Sequence, residues 1–362
     1  QLLLNREEIR LSKSGITINH GRTGLMHQKE ALKIGKNGRG IIMGEKFDFG
    51  NHEVTEDGTV THLAGWDSNP SQGEALAFCT LVTKSHYENF VVTNHFTPKE
   101  HVQHIENIYA FCRYGDDLGD DAPFSDEIRW KLLDAWEKDL DEAARDNWSG
   151  NPRHPILRAV QYTAKERNIP KEPFWKLIQA FKMDQTKKRF ANFDELREYC
   201  FYSADPVGHL FLYVYGHDDE ELRILADWTC TALQLANHWQ DVSRDLKQNR
   251  IYMPEDTMKR HEYSYEDYNS RTYDGRWKAL MIEEVERAQE WFDKGTELWT
   301  KCDPKLAVDL MMFSWGGQAV LEAIRRQGYD TWRKRPKVSK FKQLILLMKA
   351  RRKWKTALKL SI

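Results

Sequence analysis

Four aspartates, arranged as two pairs with the same spacing, are the residues of this sequence best suited to chemistry. Asp116 and Asp120 are four residues apart, and so are Asp241 and Asp245. On an α-helix this spacing puts both carboxylates of a pair on one face, where their repulsion costs about 0.2–0.5 kcal/mol. A divalent cation relieves such repulsion, and magnesium prefers oxygen ligands that carboxylates share with substrate phosphates. The spacing therefore predicts a magnesium-dependent site that binds a diphosphate.

A solvated, purely structural helix face is the simplest alternative for any one pair. Here each pair has a neighbouring arginine, Arg113 or Arg244, and the second pair follows a stretch rich in Leu, Ala and Trp. Carboxylates rarely enter apolar surroundings unless they are paired or bound to a metal. We therefore predict that all four aspartates are metal ligands. Asp116 and Asp241 are also predicted to act in catalysis, by helping to neutralise a departing diphosphate.

Helices are the elements expected to position these aspartates. From about residue 85 onward, apolar residues recur at steps of three and four, prolines separate the repeating stretches, and strand signals are sparse. The pattern predicts an all-α fold with several long helices packed around one core. The predicted helices cover residues 102–112, 126–146, 156–167, 173–183, 193–202, 220–246, 277–301 and 305–327.

Residues 1–84 have a different composition, rich in Gly, Thr, His and Asn, and show no sustained helical period. We expect an irregular or disordered extension with room for a hairpin, because residues 40–43 and 59–63 are β-prone. The predicted organisation is this extension, a catalytic domain at 85–336 and a tail at 337–362.

The tail is strongly basic. After Asp330 there are 12 Lys and Arg residues and no acidic residue, so with a net charge of -1 the preceding chain carries about -13. The apolar residues of the tail gather on one face at helical angles, a pattern typical of docking to an anionic membrane surface. A terminal helix packed on the domain with a solvated basic face is the alternative. Nucleic-acid binding is not expected, because no binding motif accompanies the charge.

The overall composition is typical of a soluble protein. Hydrophobic residues make up 40%, charged residues 30%, and no apolar run approaches the length of a spanning helix. We see no secretory signal. The five cysteines form no C-x-x-C pair, which favours free thiols in a reducing compartment over disulfides or a zinc site. We therefore expect a cytoplasmic protein that can also lie at the inner face of the membrane.

Several further motifs, in order along the chain, resemble the squalene/phytoene synthase family. The resemblance runs from about Tyr87 to Pro336, and within the family it is greatest to the bacterial hydroxysqualene synthase branch. The motifs are Tyr87-Glu-Asn-Phe90, Ile108-Tyr-Ala-Phe-Cys-Arg113 before the first aspartates, Tyr199-Cys200, Ser203-Ala-Asp-Pro-Val-Gly208, Gln234-Leu-Ala-Asn237-His-Trp-Gln-Asp241, Asn249-Arg-Ile-Tyr-Met-Pro254, Gly316-Gly317, Gly328-Tyr-Asp330 and Arg335-Pro336.

The resemblance implies a fold and a set of site residues. The fold would be the isoprenoid synthase fold, a single helical domain around a central cavity. Tyr199 would lie near the reacting carbons, and Phe90 and Tyr109 would line the prenyl cavity. The four aspartates would hold magnesium and diphosphate. The diphosphate would also contact Arg113, Gln234, Asn237, Arg250 and Tyr252.

The resemblance further implies a reaction. Presqualene diphosphate would lose diphosphate, and water would capture the rearranged cation to give hydroxysqualene, in squalene and hopanoid biosynthesis. Two departures from the commoner family pattern favour this branch. They are Trp239-Gln240, where many members have Leu-Arg, and Ser203-Ala-Asp205, where many have Val-Ala-Gly. The extra polarity suggests that Asp205, Gln240 or Ser203 positions the water.

Two other functions remain open from the sequence. One is head-to-head prenyl transfer that makes presqualene diphosphate, squalene or phytoene. The other is a non-catalytic helical protein that binds prenyl lipids, which the two intact acidic pairs disfavour.

Overall fold

The computed structural model describes residues 53–54, 60–62, 70–85, 97–120, 125–152, 154–339, 342, 345–350 and 352–353. These residues are predominantly helical, as the periodicity predicts. The strands among them are β1 (Glu53–Val54) and β2 (Val60–His62), which pair antiparallel. β2 lies in the β-prone stretch 59–63, whereas residues 40–43 lie outside the described residues.

The α-helices are α1 (Gln72–Ser85), α2 (Lys99–Asp120), α3 (Asp126–Trp148), α4 (Pro155–Arg167), α5 (Glu172–Thr186), α6 (Phe193–Ser203), α7 (Asp205–Val214), α8 (Glu220–Asp245), α9 (Glu255–Arg260), α10 (Tyr265–Asn269), α11 (Gly275–Lys294), α12 (Leu298–Lys301) and α13 (Pro304–Arg326). Most predicted helices agree with these bounds to within a few residues. The predicted helix 277–301 is divided instead, because α11 ends at Lys294 and a 3₁₀ turn precedes α12.

One expectation about the N-terminal extension is wrong. α1 lies inside the segment 1–84, where no sustained helix was expected. Its buried residues Ala75, Cys79 and Val82 recur at steps of four and three, which is a helical stripe. This stripe is short, and the apolar residues Leu76, Phe78 and Leu81 on other faces of the helix obscure its period in the sequence. The boundaries of the proposed domains stay a prediction.

The described helices belong to two compact units. The N-terminal unit contains α1, residues 106–120 of α2, α3 and the start of α4. The C-terminal unit contains residues 97–105, the end of α4 and the chain from α5 onward.

Aromatic packing holds α2 in the N-terminal unit. The fully buried ring of Trp136, from α3, lies 5.5 Å from Phe111, 4.7 Å from Tyr114 and 4.9 Å from His154, measured between ring centroids. Phe111 and Tyr114 lie five and two residues before Asp116 on the same helix. This packing therefore fixes the part of α2 from which the first aspartate motif projects.

α8 is the central helix of the C-terminal unit and packs against α7, α11 and α13. Its residues Leu235, Ala236 and Trp239 are buried in the main hydrophobic cluster of this unit. The Trp239 indole also donates a hydrogen bond to the Glu284 carbonyl of α11 at 3.1 Å. The helix that carries the second aspartate motif is thus anchored by its apolar face.

Two expectations from composition can be compared with the structure. None of the five cysteines, all of which lie in the described part of the chain, forms a disulfide. A search of the described helices finds none with both the length and the apolar character needed to cross a bilayer.

Candidate active site

The first aspartate motif occupies the last two turns of α2. Asp116 and Asp117 are 3% and 1% exposed, and Asp120, the last residue of the helix, is half-buried. Arg113 forms an ion pair with Asp117. Burial works against the charge of Arg113, but the carboxylates of Asp117 and Asp116 raise its pKa above the usual value. This end of α2 therefore keeps a buried arginine charged beside two carboxylates, a combination suited to binding phosphate and a cation.

Tyr109 lies one turn before Arg113 on the same helix. Its ring is buried, and burial raises the pKa of its phenol to about 12. The hydroxyl is therefore protonated at neutral pH. Phe90, the other residue expected to line a prenyl cavity, lies outside the described residues.

The second motif belongs to a longer polar row on α8. Asn237 and His238 each lie three or four residues from both Gln234 and Asp241, and Asp245 lies four residues after Asp241, so these five residues share one helix face. Gln234 is fully buried, and neither end of its amide has a hydrogen-bond partner within the described part of the chain. Leaving such a group unsatisfied costs about 1–3 kcal/mol per donor or acceptor. A catalytic role, or a bound water or ion, is a common reason that a protein retains one.

Asp241 is engaged by an arginine far along the chain. Arg335 donates from Nε to Asp241 Oδ1 at 2.5 Å and from Nη2 to Oδ2 at 2.9 Å. The same Nη2 donates to Gln240 Oε1 at 2.8 Å, and Gln240 Nε2 donates to the Pro336 carbonyl at 2.7 Å. The segment after α13 is thus tied to the aspartate end of α8.

Four ring side chains form an aromatic cluster beside this polar row: Phe190, Tyr199, His238 and Tyr252. The His238 ring stacks on Tyr252 with centroids 3.6 Å apart, and Phe190 stacks on Tyr252 at 5.6 Å. Tyr199 lies 5.7 Å from Tyr252 and 6.2 Å from His238. The cluster brings the predicted residues Tyr199 and Tyr252 to the face of α8 that carries Gln234.

Backbone hydrogen bonds hold the cluster together. The amide of Ile251 donates to the Lys188 carbonyl at 3.0 Å, and the amide of Glu255 donates to the Phe190 carbonyl at 2.9 Å. Two irregular segments therefore run side by side, one carrying Phe190 and the other carrying Tyr252. Hydrogen bonds of this kind join residues more than 60 positions apart, so local sequence patterns do not reveal them.

Tyr199 is fixed by a hydrogen bond as well as by packing. Its hydroxyl donates to Asp184 Oδ1 at 2.9 Å, and both residues are buried. Burial and the charge of Asp184 raise the pKa of Tyr199 well above its usual value. The phenol therefore stays neutral and presents its oxygen lone pairs and ring to any neighbour.

Arg250, a predicted diphosphate ligand, is also buried in this region, at 4% exposure. Its backbone amide donates to the Asp245 carbonyl at 2.9 Å, which places it directly after the second motif. Burial lowers the pKa of His238 well below its usual value, and the positive charge of Arg250 acts in the same direction. His238 is therefore neutral while Arg250 is charged.

The three residues suggested to position water have different surroundings. Asp205 Oδ1 accepts from Thr231 at 2.9 Å, and Asp205 Oδ2 pairs with Arg197 at 2.8 Å. Gln240 uses both ends of its amide in the contacts with Arg335 and Pro336. Ser203 Oγ is buried and has no hydrogen-bond partner among the residues that the structure describes. The hydrogen bonds of Asp205 and Gln240 are thus already made within the protein.

The aspartate pairs fit magnesium by their chemistry. Across the described ranges, no three His, Cys, Asp or Glu side chains converge as a ready-made metal centre. Magnesium commonly takes only one or two carboxylates and completes its octahedron with water and substrate phosphate oxygens. Asp116 with Asp120, and Asp241 with Asp245, could each supply that small number of carboxylates.

The structure brings three residues into the site to which the sequence analysis gave no role, although His238 and Arg335 belong to its motifs. His238 lies on the polar face of α8, Asp184 accepts a hydrogen bond from the Tyr199 hydroxyl, and Arg335 binds Asp241. The sequence could have predicted a place for His238 in the site. It lies four residues after Gln234 and three before Asp241, and this spacing puts all three on one helix face. The other two depend on contacts between separate elements.

Comparison with known proteins places these residues in a family context. The family model for squalene/phytoene synthase matches residues 83–342. Among curated relatives, phytoene synthase 2 of Zea mays is 29% identical over 281 residues, which is 76% of this chain and 69% of that protein. The 15-cis-phytoene synthase of Synechococcus elongatus is 28% identical and covers 76% of this chain and 92% of its own length.

Solved structures similar to this chain include a squalene synthase and a dehydrosqualene synthase. The squalene synthase HpnC from Alicyclobacillus acidocaldarius is 41% identical, with a TM-score of 0.67, and the match covers 73% of this chain and 98% of that one. A dehydrosqualene synthase in complex with a ligand superposes with a TM-score of 0.71 at 22% identity and covers 79% of this chain. The fold is therefore the all-α isoprenoid synthase fold that the motifs implied.

Proposed function

The chain belongs to the squalene/phytoene synthase family, and from this we propose that it converts presqualene diphosphate and water into hydroxysqualene and diphosphate. The product would serve squalene and hopanoid biosynthesis. The proposal rests on the family, on 41% identity to a squalene synthase, and on the side chains that surround α8.

The observation that carries the proposal is the polar row of α8 beside the aromatic cluster. Gln234 has two unsatisfied amide atoms in a buried position, and the rings of Tyr199 and Tyr252 lie close by. An ionising prenyl diphosphate needs both kinds of surroundings. Polar donors bind the departing diphosphate, and aromatic faces stabilise the carbocation that remains.

We assign the ionisation step to the charged residues. Asp116, Asp120, Asp241 and Asp245 would hold magnesium, which when bound neutralises charge on the departing diphosphate. The arginines Arg113 and Arg250 would neutralise diphosphate oxygens directly. Gln234, Asn237 and Tyr252 would donate or accept hydrogen bonds around the same group. The bond between carbon and oxygen breaks, and diphosphate leaves with the electron pair.

We assign control of the cation to the buried rings. Tyr199 is buried, and its hydroxyl donates a hydrogen bond to Asp184. Tyr109 and Phe90 would add apolar walls. The cyclopropylcarbinyl cation rearranges, water adds its oxygen to the cationic carbon, and loss of one proton gives the alcohol. Charge and atoms balance without a reductant.

Head-to-head prenyl transfer is the second candidate function. The curated relatives that support it are phytoene synthases at 28–29% identity. Such an enzyme would join two allylic diphosphates into presqualene diphosphate, squalene or phytoene. A non-catalytic prenyl-lipid-binding protein is the third candidate.

One experiment distinguishes the three candidates. Purified protein with Mg²⁺ is incubated with farnesyl diphosphate and, separately, with presqualene diphosphate, and the products are identified by mass. We expect alcohol only from presqualene diphosphate, and no turnover once EDTA removes the metal. Turnover of farnesyl diphosphate would favour prenyl transfer. Tight binding without turnover of either substrate would favour the third candidate.

Charge-removing variants test the aspartate assignments. Asp116→Asn and Asp241→Asn keep the side-chain shape but lose the anionic ligand. We expect each to lower kcat at least about 100-fold, comparable to the loss of one strong electrostatic contact in a transition state. Asp126→Asn, at an exposed position on α3, is the matched control and should be unaffected. Wild-type rates in both test variants would remove these aspartates from the mechanism.

We also propose that the tail docks the protein on an anionic membrane surface. Residues 345–350 are helical, and Ile345 and Met348 are 37% and 50% exposed. Lys349 and the basic residues around it would complement anionic lipid headgroups. A surface position suits an enzyme whose C30 product is insoluble in water.

A further inference from the structure

His238 is a buried polar side chain to which the mechanism above gives no role. It is 3% exposed, and its Nε2 atom has no hydrogen-bond partner among the described residues. It lies on the polar face of α8, one turn after Gln234 and one turn before Asp241. Its position is thus within the proposed substrate-binding row, yet it is neither a charged group nor an apolar wall.

The packing of His238 fixes the direction of its ring. The imidazole stacks on Tyr252 with an interplanar angle of 16° and a centroid distance of 3.6 Å. Tyr199 lies 6.2 Å away on another side, at an angle of 39°. A ring held this way cannot turn freely, so the unsatisfied Nε2 keeps one orientation relative to the aromatic cluster.

Two other histidines of this structure have side-chain partners. His104 is buried as well, but its Nδ1 lies 3.1 Å from the Thr163 hydroxyl. His209 pairs with Asp227 at 2.7 Å. His238 instead keeps a ring nitrogen without a protein partner beside Gln234, whose amide is also unsatisfied.

The capture step of the proposed reaction requires a group that accepts a proton. When the oxygen of water bonds to the cationic carbon, the product is first a protonated alcohol, which must lose one proton to a base, and a neutral imidazole nitrogen is such a base. Two neighbouring groups are less suited to accept the proton, because the Tyr199 hydroxyl donates a hydrogen bond to Asp184 and Arg250 is a cation.

Resting on the proposed function, we infer that His238 Nε2 holds the water that captures the carbocation and takes up the proton released when the new bond between carbon and oxygen forms. Burial keeps the imidazole neutral, because it lowers the pKa of His238, so the base is present in its free form at neutral pH. The stack on Tyr252 orients Nε2. The proton then passes to the departing diphosphate or to solvent, and His238 returns to its neutral state.

Product identity tests this role directly. His238→Phe and His238→Leu remove the acceptor, and His238→Gln retains one in its side-chain carbonyl. With presqualene diphosphate and Mg²⁺, we expect Phe and Leu variants to release diphosphate within threefold of the wild-type rate. The fraction of product that is hydroxysqualene should fall at least tenfold, with hydrocarbons formed by loss of a proton from the cation in its place. The Gln variant should keep a substantial alcohol fraction.

A packing control and two contrary outcomes complete the test. Trp228→Phe alters a half-buried ring elsewhere on α8, 4.3 Å from the Trp291 ring, and should leave the alcohol fraction unchanged. An unchanged alcohol fraction in both His238→Phe and His238→Leu would overturn the inference. So would loss of diphosphate release in folded variants, since it would assign His238 to ionisation. If the wild-type protein itself makes no alcohol, the proposed function fails, and that result is visible without any variant.

Discussion

At the scale of single residues, the site depends on hydrogen bonds that orient a few buried polar groups. The Tyr199 hydroxyl donates a hydrogen bond to Asp184, and Asp241 accepts two hydrogen bonds from Arg335. Asp184 belongs to none of the sequence motifs, and Arg335 belongs to a motif to which no role in the site was given. A buried polar group without its partner is costly, so the partners are as necessary as the predicted residues.

The pair of Tyr199 and Asp184 leads to a prediction. Tyr199→Phe and Asp184→Asn should each lower kcat for the turnover of presqualene diphosphate by about 10- to 100-fold. The reason is that a hydrogen bond to a charged group contributes about 1.5–3 kcal/mol. If Asp184 acts through Tyr199, the double variant should be no slower than the slower single one. The measurement is kcat and KM for all four proteins.

Tyr202→Phe is the matched control for this cycle. Tyr202 is half-buried on the same helix, α6, where its ring lies 6.4 Å from that of Trp175. It should keep wild-type kinetics. Fully additive effects of the two test substitutions would show that Asp184 does not act through Tyr199.

At the scale of elements, α8 combines the two requirements of the site in one helix. One face is apolar and packs against α11 and α13, and the other carries the polar row from Gln234 to Asp245. The close approach of α13 depends on a glycine. A methyl group added at Gly317 would collide with the Phe292 ring and lie 2.7 Å from Leu233 Cδ2, whereas one added at Gly316 would meet nothing within 4 Å.

These adjacent glycines allow a controlled prediction. Gly317→Ala should lower the free energy of unfolding by about 1–3 kcal/mol, because the core around Phe292 is fully buried and cannot yield easily. Gly316→Ala should raise it by about 0.5–1 kcal/mol, because alanine loses less backbone entropy in a helix. Urea unfolding followed by circular dichroism measures both. Equal effects at the two positions would argue against close helix packing at Gly317.

At the scale of the whole molecule, charge is distributed unevenly along the chain, and the basic end is partly packed. Ala350 is fully buried against Ala307, Val308 and Met311, and Lys349 lies 4.4 Å from the Trp315 ring centroid. This part of the tail therefore packs on the C-terminal unit, as the packed-helix alternative expects, and membrane docking stays a proposal. Ile345 and Met348 are nevertheless exposed beside basic residues.

Membrane docking predicts a specific response to substitution. Ile345→Ser combined with Met348→Ser should reduce sedimentation with vesicles containing about 30% anionic lipid several-fold, since both apolar insertion and charge contribute to surface binding. Raising the salt concentration should weaken wild-type binding as well. Ile224→Ser, at a 51% exposed position on α8, is the control. Undiminished pelleting of the double variant would argue against docking through this face.

The sequence by itself determined most of the long helices and the two aspartate pairs, because helical periodicity and i to i+4 spacing are local properties. It determined the family too, since the motifs occur in order over most of the chain. Only the tertiary structure decided which side chains complete the site in the C-terminal unit. Arg335 forms hydrogen bonds with Asp241, which lies 94 residues earlier in the sequence, and Tyr199 forms one with Asp184 on a different helix. Such contacts arise from the packing of separate elements, and no pattern along the chain encodes them.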